Sequence, residues 1–342
     1  MATHISSLNI ESFRGLKDLK IDDLGDVNIL VGDNNSGKTS ILEAIQLLCE
    51  PTEYRFVLLA KDRNPTAHFS GTDARYLFNT NQHAINKLQL SVEGVILEKE
   101  ERVEIEGKLV NHILNADGMR QPIETFTGKI STNSLQSKDV ILGAAFDIYD
   151  KSSKEDKSLN VKLVHVVDHL LSDAFSELVG KRSTKEKAIE LLRYFDASIV
   201  DILYAKESNE TVSMIATDKD DDYIPLSVYG DGMKKALFIL NAMISAENGV
   251  LLIDEFETSL HTTAMKYVFK FMLEIAKELN VQLFLTTHSI EAIDTLLRSD
   301  EENVDRLNVI RIRKDEDKMY AQTIDGAEAL RIRKNYKMEL RV

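Results

Sequence analysis

The sequence has few of the features that mark secreted or membrane-spanning proteins. Its single cysteine, Cys49, excludes a disulfide framework and a cysteine-based zinc site. The longest apolar run, residues 140–146, is far shorter than the roughly 20 residues that a helix needs to cross a bilayer. The N-terminal residues "MATHISSLNIESFRG" lack the apolar core of a secretory signal. We therefore expect a cytoplasmic protein without a membrane partner.

Positive charge is also scarce, since 42 Lys and Arg stand against 56 Asp and Glu and give a net charge of −14. A protein of this charge binds nucleic acid only through a local basic patch. No aromatic platform accompanies the C-terminal cations, and a solvated charged surface is the more frequent origin of such a cluster. Nucleic acid is therefore not indicated as a partner. The cations in question are Arg311, Arg313, Lys314, Arg331, Arg333, Lys334, Lys337 and Arg341.

Repeats, low-complexity tracts and long heptad arrays are absent as well. With 342 residues, 43% of them hydrophobic, the chain can bury a large core. Alternating apolar and polar residues at 88–107 predict antiparallel strands. A charged stretch at 151–158 is a predicted linker, and apolar residues at helical spacing predict a helix over 161–197. The runs "SIVDILYA" and "TVSMIAT" that follow are predicted strands.

The first motif is a glycine-rich loop with the pattern of a Walker A sequence. It reads "GDNNSGKT" at 32–39, after the apolar run "VNILV" and before a helical pattern that ends at Pro51. Gly32 and Gly37 allow the backbone to bend so that N–H groups converge on phosphate oxygens. Lys38 adds a positive charge near the β- and γ-phosphates. The residues predicted to bind ATP are Gly32, Asn34, Asn35, Ser36, Gly37, Lys38, Thr39 and Ser40.

Acidic residues follow the most hydrophobic run of the chain. In "VLLIDE", four apolar residues predict a buried strand, and Asp254 emerges at its carboxyl end, where open α/β sheets bind ligands. Asp254 is predicted to hold Mg²⁺ together with the Thr39 hydroxyl, and Glu255 to orient the attacking water. In "LFLTTHS", His288 ends another predicted buried strand, where it can contact the γ-phosphate. Since Lys38 and Asp254 lie 216 residues apart but serve one nucleotide and Mg²⁺ site, the chain between them must fold as lobes of its own.

A second glycine turn stands at residues 229–237, "YGDGMKKAL". It opens a predicted helix, and a glycine-rich turn before a helix commonly binds an anion. An acid inside such a turn is unexpected, because a carboxylate repels phosphate unless cations offset its charge. Lys234 and Lys235 could offset Asp231 in this way. Alternatively, Asp231 caps the helix and meets no phosphate.

These motifs, in this order, resemble those of the ABC-type ATPase heads of the RecF, SMC and OLD group. The residues that carry the resemblance are "ESFRG", "GDNNSGKT", the second glycine turn, "LLIDEFETSLH" and "TTHS", within 1–45 and 223–290. The likeness is strongest to the stand-alone AAA ATPases similar to OLD proteins, many of which belong to phage-defence modules. The resemblance implies an α/β P-loop NTPase fold. Its features would be an ABC-ATPase-like mixed sheet, an inserted antiparallel β region and a helical lobe.

On this resemblance, the whole chain forms one ATPase head, and two heads sandwich ATP in a homodimer or a higher homo-oligomer. Gly230, Asp231 and Gly232 of one copy would then face the nucleotide of the other, although ABC signatures carry a serine where this chain has Asp231. "ETSLH" looks like the D-loop, whose Ser259 and His261 are implied to cross to the partner. The implied parts of the head are an N-terminal lobe at 1–150 with Walker A and the β insertion, a mostly helical lobe at 151–225, and a C-terminal lobe at 226–342 with the other motifs.

The sequence therefore predicts a Mg²⁺-dependent ATPase whose ATP-driven assembly controls a partner effector, as in anti-phage defence. Only 54 residues follow His288, too few for the Toprim nuclease domain of OLD proteins, so the effector is expected to be a separate protein. Two alternatives stay open. One is a scaffold that binds nucleotide with little turnover, and the other is a RecF-like DNA repair ATPase that binds DNA through the C-terminal cations. Gln82 and Gln89 are candidates for a Q-loop residue by position only.

Overall fold

The computed structural model describes most of the chain. Two predictions, the linker at 151–158 and the candidate Gln82, fall outside the described residues. The described ranges are residues 3–61, 71–79, 87–116, 119–133, 137–142, 159–166, 168, 178, 181–207, 210–219, 222–315, 318–336 and 339–340.

Strands and helices alternate along the chain, as in an α/β protein. The strands are β1 (Ile5–Phe13), β2 (Leu16–Ile21), β3 (Val27–Val31), β4 (Leu88–Ile96), β5 (Lys99–Ala116), β6 (Met119–Thr132), β7 (Lys138–Leu142), β8 (Val161–Val164), β9 (Ile199–Glu207), β10 (Glu210–Thr217), β11 (Ile224–Pro225), β12 (Val250–Ile253), β13 (Gln282–Thr286), β14 (Leu307–Asp315) and β15 (Lys318–Asp325). The helices are α1 (Lys38–Cys49), α2 (Glu53–Lys61), α3 (Gly71–Arg75), α4 (Arg182–Leu192), α5 (Asp231–Ser245), α6 (Thr262–Glu278), α7 (Ile290–Ser299) and α8 (Gly326–Tyr336). Within the described residues, no helix combines the length and the hydropathy that a bilayer crossing requires.

The central sheet brings the predicted catalytic motifs to one edge. Its strand order is β15-β14-β3-β13-β12-β8, and neighbouring strands are parallel except for β14 and β15. Strands β3, β12 and β13 are buried along their whole length, as expected for parallel strands covered on both faces. Because parallel strands end at the same edge, the segments that follow these three strands converge there. The strand predictions from "VNILV", "VLLIDE" and "LFLTTHS" are confirmed.

A second sheet covers one face of the central sheet through α1. Its strands are antiparallel in the order β2-β1-β4-β5-β6-β7, which confirms the prediction made from the alternation at 88–107. Ile41 and Ile45 of α1 pack in one buried cluster with Ile10 of this sheet and Phe284 of the central sheet. The start of α1, where the predicted phosphate loop ends, is thereby fixed between two sheets.

Helices α4 to α8 cover the other face of the central sheet. Leu237 of α5, Val268 of α6 and Ile293 of α7 belong to one buried cluster with Leu251 and Leu285 of the strands. The helices predicted after the second glycine turn and over 262–279 are confirmed. Helix α5 therefore packs on the central sheet together with α6 and α7.

The prediction of a continuous helix over 161–197 is wrong at its start. Val161–Val164 forms β8, which pairs in parallel with β12, so that Val164 lies beside Ile253. A short apolar run does not by itself distinguish a strand from a buried helix, and the pairing with β12 decides it. The described part of 151–225 contains helix α4 and strands β8 to β11, so it is not mostly helical. The strands predicted from "SIVDILYA" and "TVSMIAT" are confirmed as β9 and β10, while the division into three lobes stays a prediction.

Candidate active site

The loop between β3 and α1 adopts a conformation that its two glycines permit. Gly32 and Gly37 have φ values of 152° and 89°, which residues with a side chain rarely adopt. Space is limiting too, because a Cβ at Gly32 would lie 2.5 Å from the carbonyl oxygen of Ile312. A Cβ at Gly37 would lie 2.5 Å from Cδ2 of Leu16. The two glycines predicted from the motif are therefore required by the fold of the loop.

The remaining loop residues differ in their exposure. Ser36 and Ser40 are buried, while Asn34 and Asn35 are exposed, and Asn35 has a left-handed φ of 65°. The exposed asparagines leave the outer side of the loop open to solvent. The predicted nucleotide-binding residues thus form one continuous loop and helix start, with the two serines on its inner side.

Lys38 is half-buried and points back into the loop. Its ammonium donates hydrogen bonds to the carbonyl oxygens of Gly32 and Asp33, both at 2.8 Å. Burial lowers the pKa of the Lys38 ammonium, and the nearby carboxylates of Asp254 and Glu255 oppose that shift. The cation is thus held inside the loop, at the strand edge where the acids converge.

The predicted metal ligands are in direct contact. Thr39 Oγ1 donates to Asp254 Oδ2 at 3.0 Å and lies 3.2 Å from Oδ1. Thr286 Oγ1, at the end of β13, donates to Asp254 Oδ1 at 2.5 Å, and Asp254 is only 9% exposed. These oxygen donors fit Mg²⁺, which commonly takes one or two carboxylates together with substrate phosphates and waters. Within the described residues no cluster of three or more His, Cys, Asp or Glu could form a cage for a metal.

Glu255 and His288 face each other at the opening of the site. The distance between His288 Nδ1 and Glu255 Oε1 is 3.5 Å, and the side chains are 49% and 37% exposed, respectively. The Glu255 N–H donates to Thr286 Oγ1 at 2.9 Å, and Thr258 Oγ1 donates to Glu255 Oε2 at 3.3 Å. Glu255 has a φ of 46°, a conformation that costs free energy in a non-glycine residue and that these contacts maintain. Both predicted catalytic side chains are therefore fixed by neighbours and accessible from solvent.

The second glycine turn is built differently from the first. Gly230 is the N-cap of α5 with a φ of −67°, and Asp231 is the first helical residue, whose carboxylate contacts the Lys234 ammonium. Asp231 therefore does not cap the helix, and whether it meets a phosphate stays a prediction. Lys234 donates to Asp231 Oδ1 at 3.2 Å and offsets its charge, whereas Lys235 is fully buried and does not reach this surface.

The turn lies on the same surface as the predicted D-loop. A Cβ at Gly232 would lie 3.0 Å from the carbonyl oxygen of Ser259. Gly230, Gly232, Ser259 and His261 line one depression, beside the stacked rings of Tyr194 and Tyr267. None of the loop residues at 32–39 lines this depression, so the two glycine motifs open onto separate surfaces of one copy.

The sequence motifs did not identify several residues that lie next to the predicted site residues. Thr286 bridges Asp254 and the Glu255 backbone, and Thr287 donates to Glu257 Oε1 at 2.6 Å. The hydroxyls in "TTHS", directly before His288, were a signal for the two threonines. Glu257 and Lys235 gave no such signal, because only the folded chain shows that both are buried.

The cationic cluster near the C-terminus is largely paired. Ion pairs of 2.7 Å join Arg331 to Glu328, Arg333 to Asp294 and Lys334 to Glu301. Arg311 donates to the carbonyl oxygens of Leu340 and Glu339. This pairing supports a solvated charged surface, as the composition indicated, and Lys337 and Arg341 lie outside the described residues. Gln89, the described Q-loop candidate, lies on β4 of the antiparallel sheet.

Two family models match the chain in overlapping ranges. A model described as "AAA ATPase domain" matches residues 4–158. A model described as "AAA domain, putative AbiEii toxin, Type IV TA system" matches residues 137–294. Together the two matches include the loop at 32–39, the turn at 230–232 and His288. Both descriptions name an AAA-type domain.

Known proteins give the same indication. A Helicobacter pylori protein named "ATP/GTP phosphatase" is 24% identical over 327 residues, which cover 85% of this chain and 87% of that protein. The DNA replication and repair protein RecF of Nitrosococcus oceani is 50% identical over 56 residues, covering 16% of this chain and 15% of RecF. A solved SMC head, bound to the C-winged helix domain of ScpA, has a TM-score of 0.56 at 14% identity and covers 96% of this chain and 100% of its own. The structural likeness shows the fold, and the predicted α/β P-loop NTPase architecture is confirmed.

Proposed function

We propose that this chain is an ATP-hydrolysing head of the ABC type, similar to the RecF and SMC group, and that two copies enclose the nucleotide between them. The loop at 32–39 of one copy holds the phosphates, and the turn at 230–232 of the other closes over the γ-phosphate. The result is a homodimer or a higher homo-oligomer whose assembly depends on ATP.

The observation that carries this proposal is the empty space at Gly230. A Cβ there would meet nothing within 4 Å, and φ is −67°, so no contact or backbone angle in the described part of the chain requires glycine. Gly32 and Gly37, by contrast, are required by their own loop. A glycine that its own fold does not need suits close approach of a group from outside, here the phosphate held by the partner. The Lys234 ammonium beside Asp231 reduces the repulsion that the carboxylate would otherwise exert.

The residues at the strand edge supply the parts that phosphoryl transfer to water needs. Lys38 binds the β- and γ-phosphates, for which it leaves the loop carbonyls it now contacts. Thr39 and Asp254 hold Mg²⁺, which neutralises charge on the phosphates when it is bound with the nucleotide. Glu255 orients the attacking water, and His288, 3.5 Å from Glu255, contacts the γ-phosphate.

The assembly is proposed to control a separate effector protein in an OLD-like phage-defence module. Two observations support control of a partner. The solved SMC head of the same fold is bound to a domain of ScpA. The description of one matching family model names a putative toxin and a type IV TA system. A RecF-like role on DNA has less support, because three of the cations that would serve it, Arg331, Arg333 and Lys334, are paired with acids.

Mixing two inactive variants tests the shared site. Gly230→Ala is expected to lower specific ATPase activity by roughly 10- to 100-fold, because one methyl group displaces the turn from the partner's phosphate. Lys38→Ala is expected to be inactive because its own loop lacks the cation that binds the phosphates. An equal mixture should recover roughly a quarter of the wild-type activity, since half of the randomly formed dimers carry one complete site of two. Steady-state phosphate release of each variant and of the mixture gives the answer.

The control is Gly15→Ala, at another glycine whose Cβ would meet nothing within 4 Å. Both glycine variants should unfold at the wild-type temperature, which separates loss of activity from loss of fold. Wild-type specific activity should also rise with protein concentration. A mixture no more active than the sum of its components would contradict a site shared between copies.

A further inference from the structure

Lys235 is a buried cation that the function proposed so far does not use. It lies in the second turn of α5, its side chain is 0% exposed, and its ammonium has no hydrogen-bond partner within the described residues. Lysine is almost never fully buried unless it is paired, because removing an ammonium from water costs several kcal/mol. A leucine or methionine would fill this position without that cost. The cation therefore calls for an explanation other than packing.

The charges around Lys235 include those of the candidate active site. The carboxylates of Asp168, Glu257, Asp254 and Glu255 act on its ammonium and favour its charged form. Burial nevertheless dominates and lowers the pKa of Lys235. Lys235 is thus within electrostatic reach of both acids at the end of β12, although it belongs to the helix that begins with the second glycine turn.

Glu257 is a second buried charge, which lies in the segment after β12 and forms no hydrogen bond with the Lys235 ammonium. It is 8% exposed, its Oε1 accepts a hydrogen bond from Thr287 at 2.6 Å, and its Oε2 has no hydrogen-bond partner within the described residues. Burial raises the pKa of the Glu257 carboxyl group. Glu257 follows Glu255 by two residues, and Thr287 directly precedes His288. Its position therefore connects the segments that carry both predicted catalytic side chains.

We infer that Lys235 is a positioning residue of the ATPase, which acts through Glu257 to hold Glu255 and His288 relative to helix α5. The turn at the start of α5 closes over the partner's nucleotide, so this inference rests on the proposed function. Because Lys235 is fixed within α5, it holds Glu257 in place whether or not the turn of the same copy is engaged.

The test is Lys235→Met, which keeps the length and removes the charge. We expect kcat to fall about 5- to 30-fold while KM for ATP changes less than about threefold, since Lys235 positions groups without touching the nucleotide. We also expect a Tm that is unchanged within about 2 °C or raised, because replacing a buried charge by an apolar side chain is often neutral or stabilising. A purely structural role would lower Tm and leave kcat per folded molecule unchanged. The charge control is Lys270→Met, whose side chain is 61% exposed on α6.

A double-mutant cycle shows whether Lys235 acts through Glu257. Glu257→Gln should lower kcat to a similar extent, and the double variant should be no slower than the slower single variant. Should Lys235→Met fail to fold, Glu257→Gln carries the same expectation for kcat and KM. Wild-type kcat in either single variant, or losses that multiply in the double variant, would overturn the inference. The mixing experiment is independent of this result. If the mixture recovers activity and Lys235→Met keeps the wild-type kcat, only the role of Lys235 is refuted. If the mixture does not recover activity, the shared site is refuted.

Discussion

Lys38→Ala is expected to weaken ATP binding by about 30- to 4000-fold, the loss that follows from about 2–5 kcal/mol for truncating one partner of a hydrogen-bonded charge pair. The ammonium is the cation that the loop itself directs towards the phosphates. It contacts the carbonyl oxygens of Gly32 and Asp33 at 2.8 Å and exchanges these neutral acceptors for charged phosphate oxygens when ATP binds. Titration with a fluorescent ATP analogue, or calorimetry with ATP and Mg²⁺, measures the change.

The fold should tolerate the loss of Lys38. The pKa of its ammonium is lowered by burial, so the folded protein already disfavours the charge, and its removal should not lower Tm by more than a few degrees. Lys270→Ala, an exposed lysine of α6, controls for the change in net charge and should bind ATP like the wild type. Wild-type affinity in Lys38→Ala would show that the loop at 32–39 is not the phosphate site.

The parts of the site that could be predicted from the sequence are those that local chemistry determines. Strands β3, β12 and β13 are buried on both faces, so each is a continuous apolar run that ends in a polar motif. The loop glycines are required by a left-handed φ and by close neighbours, and such positions leave a clear pattern. The convergence of Lys38 and Asp254 then followed from the rule that parallel strands end at one edge.

The parts that could not be predicted depend on contacts between distant segments. Val161–Val164 forms a strand because β12 pairs with it, and a run of four residues carries no period that would show this. Asp231 has the sequence position of a helix cap, but the helix begins at Asp231 itself, so Gly230 is the cap. The burial of Lys235 is equally invisible in "GMKKAL", because Lys234 beside it is partly exposed and paired.

Glu255→Gln is expected to leave ATP binding intact and to lower kcat by about 100- to 10,000-fold, the usual contribution of a general base. Glutamine keeps the size of the side chain and an oxygen that can accept from Thr258, and the backbone bond to Thr286 does not involve the side chain. What is lost is the carboxylate that orients the attacking water and receives its proton. Single-turnover phosphate release, measured beside nucleotide affinity, separates chemistry from binding. Undiminished phosphate release would contradict this role of Glu255.

Asp254→Asn is the informative comparison, because the adjacent carboxylate is proposed to do a different task. Asp254 contacts Thr39 and Thr286 and is 9% exposed, whereas Glu255 is 37% exposed and faces His288. Loss of charge at Asp254 should raise the Mg²⁺ concentration needed for half-maximal activity, whereas Glu255→Gln should not. Glu255→Gln should instead accumulate the ATP-bound assembly, visible as a dimer that persists in gel filtration with ATP and Mg²⁺. Since ATP closes the assembly and hydrolysis reopens it, a variant that binds ATP without turnover should remain closed. If Asp254→Asn formed an equally persistent dimer with ATP and Mg²⁺, the two acids would not be distinct in function.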